Sequence, residues 1–140
     1  MSDPAGAVLV VDDDASVRRA LERLLRSAGY RVQTFASAQD LLGRGQFDDV
    51  ACVVLDVRMP GQGGLDLYEV LVRSGCDLSV VFISGHGDIP MAVRAMKAGA
   101  VDFLPKPFED EALLEAVERA VGRDRQRRDA DASEPADPIR

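Results

Sequence analysis

The chain carries a single histidine, two cysteines and no apolar run of bilayer length in its 140 residues, and each scarcity excludes something. Without some 20 consecutive apolar residues there is no membrane-spanning helix to expect. Two cysteines, Cys52 inside an apolar run and Cys76 in a polar stretch, make no disulfide framework and read as free thiols in a reducing compartment. The opening Met1-Ser2-Asp3-Pro4-Ala5-Gly6 has no basic region ahead of an apolar segment, so no export signal is expected and the protein reads as cytoplasmic. Positive charge is also short: the formal net charge is −7, which argues against direct nucleic-acid binding by this chain. The segment Arg123–Arg140 balances five arginines against five acids, so the negative surplus lies in residues 1–122. With 46% apolar residues, this length suits one domain with a real core.

What is present is a set of short apolar runs that end in reactive side chains. Ala7–Val11 runs into Asp12-Asp13-Asp14, Ala51–Leu55 into Asp56, and Val80–Ile83 into Ser84, while Phe103-Leu104 is followed by Pro105-Lys106-Pro107. Such runs read as buried parallel strands. The periodicity adds a helix carrying Val17, Leu21, Leu24 and Leu25, a strand at Tyr30–Phe35, and a short helix from about Ala38 to Gly43. Further helices follow Gly63-Gly64, span Pro90–Ala98, and begin near Glu109, and a short strand covers Val101–Leu104. Five alternating strand–helix units imply a doubly wound α/β sheet covered on both faces. Residues 1–122 form the domain, and 123–140 read as a charged linker or flexible tail after some extension of the last helix.

In an open parallel sheet, ligands bind at the carboxyl ends of the strands. The topology therefore gathers three acids, a hydroxyl and a lysine at one edge. Clustered carboxylates repel one another, and a hard divalent cation, most naturally Mg²⁺, removes that cost when no histidine or thiolate stands beside them. With Lys106 and Ser84 opposite, these are the parts of a phosphoryl-transfer site with a carboxylate nucleophile. Each residue also has a plainer reading: Asp12–Asp14 as a helix cap, Lys106 as a solvated loop charge, Phe103 as core, and His86 as an exposed loop residue.

Asp12-Asp13, Leu55-Asp56-Val57-Arg58-Met59-Pro60-Gly61, Ser84-Gly85-His86, and Phe103 with Lys106-Pro107 together resemble the receiver domain of bacterial two-component response regulators, over about residues 7–122. The stretch Ile83–Val93 through Lys97-Ala98-Gly99-Ala100 resembles the FixJ-like branch. The resemblance implies a flavodoxin-like (βα)5 fold with strand order 2-1-3-4-5. It implies Asp56 as phosphoacceptor from a sensor histidine kinase or phosphotransfer protein, and Mg²⁺, with Mn²⁺ as substitute, on Asp13, Asp56 and the Arg58 carbonyl, Asp12 acting through water. It further implies Lys106 and Ser84 as phosphate-binding groups, Phe103 as the switch aromatic, and a cis Lys106–Pro107 bond. On the same resemblance Arg58 and His86 would occupy positions that tune phosphoryl lifetime, and Met91, Val93 and Met96 would lie on a face used for phosphorylation-dependent homodimerisation. On this reading the chain is a signalling module rather than a turnover enzyme, no membrane is involved, and its output is that of a FixJ-like transcriptional regulator or of a stand-alone regulator acting by protein contact. A Mg²⁺-dependent phosphohydrolase of the haloacid-dehalogenase type is the rival, with Asp12-x-Asp14 as its acid pair, although Ser16 departs from that family's pattern and the chain is short for it.

Overall fold

The computed structural model describes residues 6–59, 63–85 and 89–133, with 131–133 as backbone only. Within them the chain alternates β1 (Ala7–Val11), α1 (Ala15–Ser27), β2 (Arg31–Phe35), α2 (Ala38–Arg44), β3 (Val50–Asp56), α3 (Gly64–Arg73), β4 (Val80–Ser84), α4 (Ile89–Lys97), β5 (Asp102–Pro105) and α5 (Asp110–Ser133). The five strands are parallel, in the order β2-β1-β3-β4-β5, as expected.

Hydrophobic patterning explains this order. Every residue of β1, β3 and β4 is buried, whereas the edge strands β2 and β5 are partly exposed. A strand covered on both faces needs apolar residues at every position. Successive side chains then go to opposite sides of the sheet. Leu9, Val11, Val53, Leu55 and Phe82 pack with α2, α3 and α4 on one side. Val8, Val10, Cys52, Val54, Val81 and Ile83 pack with α1 and α5 on the other. Cys52 is wholly buried, and burial raises its thiol far above the ordinary range, so it is chemically quiet.

Two strands run one residue further than the apolar pattern suggests. Asp56 still pairs with Ile83, and Ser84 pairs with Pro105. The backbones of both polar residues are thus held by the sheet ladder rather than by loops.

α5 continues through residue 122 to Ser133 with no break. Few apolar residues support its last turns, and ionic contacts anchor them instead. Asp124 is buried, and its two carboxylate oxygens accept from Arg127 and Arg128 at 2.7 Å each. Arg128 also donates to the carbonyls of Asp48 and Val50, and Asp77 pairs with Arg123 at 3.3 Å and Arg127 at 3.4 Å. Asp124→Ala is therefore expected to lower stability by about 1–2 kcal/mol, a figure kept small because the arginines are half exposed. A urea midpoint equal to that of the wild type would show that this end of α5 is not anchored.

Candidate functional site

The site lies at the carboxyl edge of the sheet, where β1, β3, β4 and β5 end side by side. Asp12 directly follows β1 and has no exposed surface. All four of its polar groups are engaged. Its N–H donates to the Phe35 carbonyl at 3.1 Å and its carbonyl accepts from Arg18 at 2.7 Å. Its Oδ1 accepts the Asp14 N–H at 2.8 Å, and its Oδ2 accepts Lys106 Nζ at 2.8 Å. Asp13 is exposed, and among the described residues no hydrogen bond holds its carboxylate. Asp14 caps α1, its Oδ1 accepting the N–H groups of Ser16 at 2.8 Å and Val17 at 3.4 Å.

Asp56 ends β3, buried, with Oδ1 accepting the Arg58 N–H at 3.1 Å and Oδ2 facing Lys106 Nζ at 3.5 Å. One carboxylate oxygen from each of Asp12, Asp13 and Asp56 lies within 4.8 Å of the others. Among the described residues no histidine or thiol belongs to this cluster, and the all-oxygen donor set of Asp12, Asp13 and Asp56 suits a hard cation. Lys106 is the cation opposite, carried over the crevice by a cis Lys106–Pro107 peptide and by a backbone hydrogen bond from its N–H to the Ser84 carbonyl at 2.6 Å.

Electrostatics agree with the geometry. Burial pushes the Asp56 carboxyl above its ordinary range, the nearby Asp12 charge adds to this, and the Arg58 N–H and Lys106 oppose it. Burial alone would lower Lys106, but its hydrogen bond to Asp12 and the charges of Asp56 and Asp12 hold it above the ordinary lysine value. Because the folded chain holds the Asp56 proton more tightly than the unfolded chain does, stability falls as pH rises from the ordinary carboxylate range through the raised value. Asp56→Asn in metal-free buffer is accordingly expected to melt roughly 2–4 °C higher than the wild type at neutral pH, with the gap closing as the pH drops toward the ordinary carboxylate range. An unchanged or lower melting temperature at neutral pH would contradict this balance.

The other residues singled out from sequence fall around this cluster. Ser84 ends β4 and is fully buried. Phe103 lies on β5, half-buried, its ring 6.4 Å from that of Phe82. The backbone carbonyl of Arg58 belongs to the segment leaving Asp56, while His86 lies outside the described residues. On α4, Val93 and Met96 are 46% and 45% exposed, but Met91 is half-buried against the core. Ile89, at 73% exposure, is the apolar residue of that face which sequence pattern did not single out. Patterning missed Gly64 as well: it opens α3 so close to the Asp56 carbonyl that a methyl group there would fall well inside van der Waals contact with that oxygen. Its only sequence signal is the Gly63-Gly64 pair.

Comparison with known proteins agrees with this arrangement. A family model, the response regulator receiver domain, matches residues 8–118. Nodulation protein W of Bradyrhizobium diazoefficiens is 54% identical over 123 residues, which cover 88% of this chain and 54% of that protein. The transcriptional regulatory protein FixJ of Azorhizobium caulinodans is 48% identical over 116 residues, covering 83% of this chain and 55% of that protein. The chain thus spans about half the length of these curated relatives. Among solved structures, the response regulator StyR superposes with a TM-score of 0.85 at 51% identity, covering 91% of this chain and 64% of that one. FixJ-N superposes with a TM-score of 0.76 at 41% identity, covering 87% of this chain and 96% of that one. Among the described residues no helix is long and apolar enough to cross a membrane. The chain belongs to the response regulator receiver domain family of two-component signalling, in its FixJ-like branch.

Proposed function

We propose that this receiver accepts a phosphoryl group on Asp56 from a phosphohistidine of a sensor kinase or phosphotransfer protein, and that this event changes the α4–β5 face. The observation that carries the reading is Lys106 Nζ standing 2.8 Å from Asp12 and 3.5 Å from Asp56, beside three carboxylates that converge within 4.8 Å. A carboxylate oxygen of Asp56 attacks phosphorus as the P–N bond to the donor imidazole breaks, and the imidazole takes up a proton. Lys106 turns from Asp12 to the incoming phosphoryl oxygens, and the Ser84 hydroxyl donates to another of them.

Asp13, Asp56 and the Arg58 carbonyl are the groups that would hold Mg²⁺. Asp12, with both oxygens already occupied, acts at one remove. Bound Mg²⁺ neutralises the clustered charge and offsets that of the phosphoryl oxygens. The phosphoryl group adds about −1.5 to −2 charges at one point, which draws in Ser84 and lets the Phe103 ring move into the space behind it. Phosphorylation shifts the population only by its differential interaction with the two states.

Exposed Ile89, Val93 and Met96 make α4 the apolar surface on which two phosphorylated copies would meet. The receiver is then the regulatory part of a FixJ-like transcriptional regulator. Uptake of phosphate from acetyl phosphate should require a divalent cation and stop on chelation with EDTA. Val93→Asp should take up phosphate like the wild type and stay monomeric by light scattering. Phosphate uptake unaffected by EDTA would contradict the metal assignment, and a phosphorylated Val93→Asp dimer would contradict the interface.

A further inference from the structure

We infer that Arg18 is a positioning residue for the metal-binding carboxylate of Asp13. The inference rests on the reading of Asp13 as a ligand for a divalent cation.

Asp12 and Asp13 leave the sheet at the last ladder position of β1, where Val11 pairs with Phe35 on one side and Leu55 on the other. Beyond that point only the Asp12 N–H is held by sheet backbone, through Phe35. The Asp12 carbonyl has left the ladder and needs a donor of its own. Arg18 supplies it. α1 starts at Ala15 under the Asp14 cap, so Arg18 sits in the helix's second turn, from which a long side chain runs back toward the N-terminus. Its Nη1 reaches the Asp12 carbonyl oxygen at 2.7 Å while the residue stays half-buried. A charged donor to a carbonyl is among the stronger hydrogen bonds, and a planar guanidinium brings a defined direction with it.

The Asp12 carbonyl shares its peptide plane with the Asp13 N–H. Fixing that oxygen fixes the plane before Asp13, and the Asp14 N–H bound to Asp12 Oδ1 at 2.8 Å holds the plane after it, so the two together set the direction in which the Asp13 side chain leaves the backbone. The carboxylates of Asp12 and Asp56 depend on it less, because Asp12 keeps three other hydrogen bonds, through its N–H and both carboxylate oxygens, and Asp56 lies within the ladder. Asp13 is the member of the triad with no hydrogen bond to its carboxylate among the described residues, and its placement depends on the backbone beneath it. Groups that orient a ligand from behind in this way have large effects on metal affinity.

The test is Mg²⁺ binding to the unphosphorylated chain by isothermal titration calorimetry, joined to the Mg²⁺ dependence of phosphate uptake from acetyl phosphate. Arg18→Ala should weaken Mg²⁺ binding by about tenfold, and Arg18→Lys should recover most of the loss. The uptake rate at saturating Mg²⁺ should stay near that of the wild type, with the half-saturating concentration raised in step with the affinity. If Arg18→Ala does not fold, Arg18→Gln, which cannot span the distance to the carbonyl, carries the same expectation. Arg19→Ala, which removes a neighbouring charge from the exposed side of α1, should leave the affinity unchanged. Equal losses in the Arg18 and Arg19 variants would reduce the effect to net charge and overturn the inference, as would wild-type affinity in Arg18→Ala or Arg18→Gln. A wild-type chain that binds no Mg²⁺ would instead overturn the metal-site reading, and the role of Arg18 with it.

Discussion

Gly64→Ala should destabilise the chain by about 3 kcal/mol or more and carry phosphate uptake down with it. The added methyl group would overlap the Asp56 carbonyl oxygen, lie 2.9 Å from the carbonyl carbon, and lie 3.0 Å from Cγ of Leu55. Two of those atoms are backbone at the end of a buried strand, and the third belongs to a buried core residue, so no flexible group can give way. The Gly64 N–H also donates to the Val57 carbonyl at 3.1 Å, which ties the first turn of α3 to the segment leaving the strand. α3 must retreat or Asp56 must move, and either change reaches the carboxylate. Gly122 is the contrast: it lies inside α5 with nothing within 4 Å of an added methyl group. Gly122→Ala should stabilise by about 0.5–1 kcal/mol through helix propensity. Urea unfolding of the two variants beside the wild type makes the comparison. A Gly64→Ala chain with wild-type stability would mean that the close approach of α3 to Asp56 is not real.

Lys106→Met should slow phosphate uptake by about 10²–10³, since it removes the cation that the site aims at the phosphoryl oxygens. The same change leaves Asp12 and Asp56 facing each other without a counter-charge. Asp12 has no exposed surface, and breaking a buried ion pair by deleting one partner costs far more than the pair contributes, here about 2–3 kcal/mol. The Asp56 carboxyl should rise further, because the loss of Lys106 removes a group that now lowers it. Uptake by the variant should therefore fall off at a higher pH than in the wild type. The stability loss should shrink when Mg²⁺ is added, as a second cation replaces the first. Stability independent of Mg²⁺ together with wild-type uptake would contradict the role of Lys106.

Much of the site is legible in the sequence because strand ends are chemically marked. Ala7–Val11, Ala51–Leu55 and Val80–Ile83 are continuous apolar runs, and the residue after each run must emerge at the sheet's edge. That logic puts Asp12, Asp13, Asp56 and Lys106 side by side, and the structure brings them together. A parallel sheet covered on both faces follows from the same patterning, and the strand order from the resemblance to receivers.

The features that patterning does not convey are mostly contacts between backbone and side chain. The close approach of Gly64 to Asp56 depends on a loop geometry that the Gly63-Gly64 pair merely permits. The bond from Arg18 to the Asp12 carbonyl leaves no periodic signature, because an arginine in an amphipathic helix reads as solvated surface. The last turns of α5 read only as some helix extension ahead of a charged tail, for a related reason: their anchors are Asp124 and three arginines, and patterning registers only apolar stripes. Asp14 shows the opposite case. As part of Asp12-x-Asp14 it is the second acid that a phosphohydrolase would need, but its carboxylate is engaged in capping α1. That removes the acid pair on which the rival reading depends.

Phosphoryl acceptance by Asp56 is tested most directly by intact mass after incubation with acetyl phosphate and Mg²⁺, wild type against Asp56→Asn. The wild type should gain one Mg²⁺-dependent phosphate adduct, labile to base, and the variant none. An adduct of equal yield on Asp56→Asn, or catalytic release of phosphate that depends on Asp12 with no adduct on either chain, would show that Asp56 is not the phosphoacceptor.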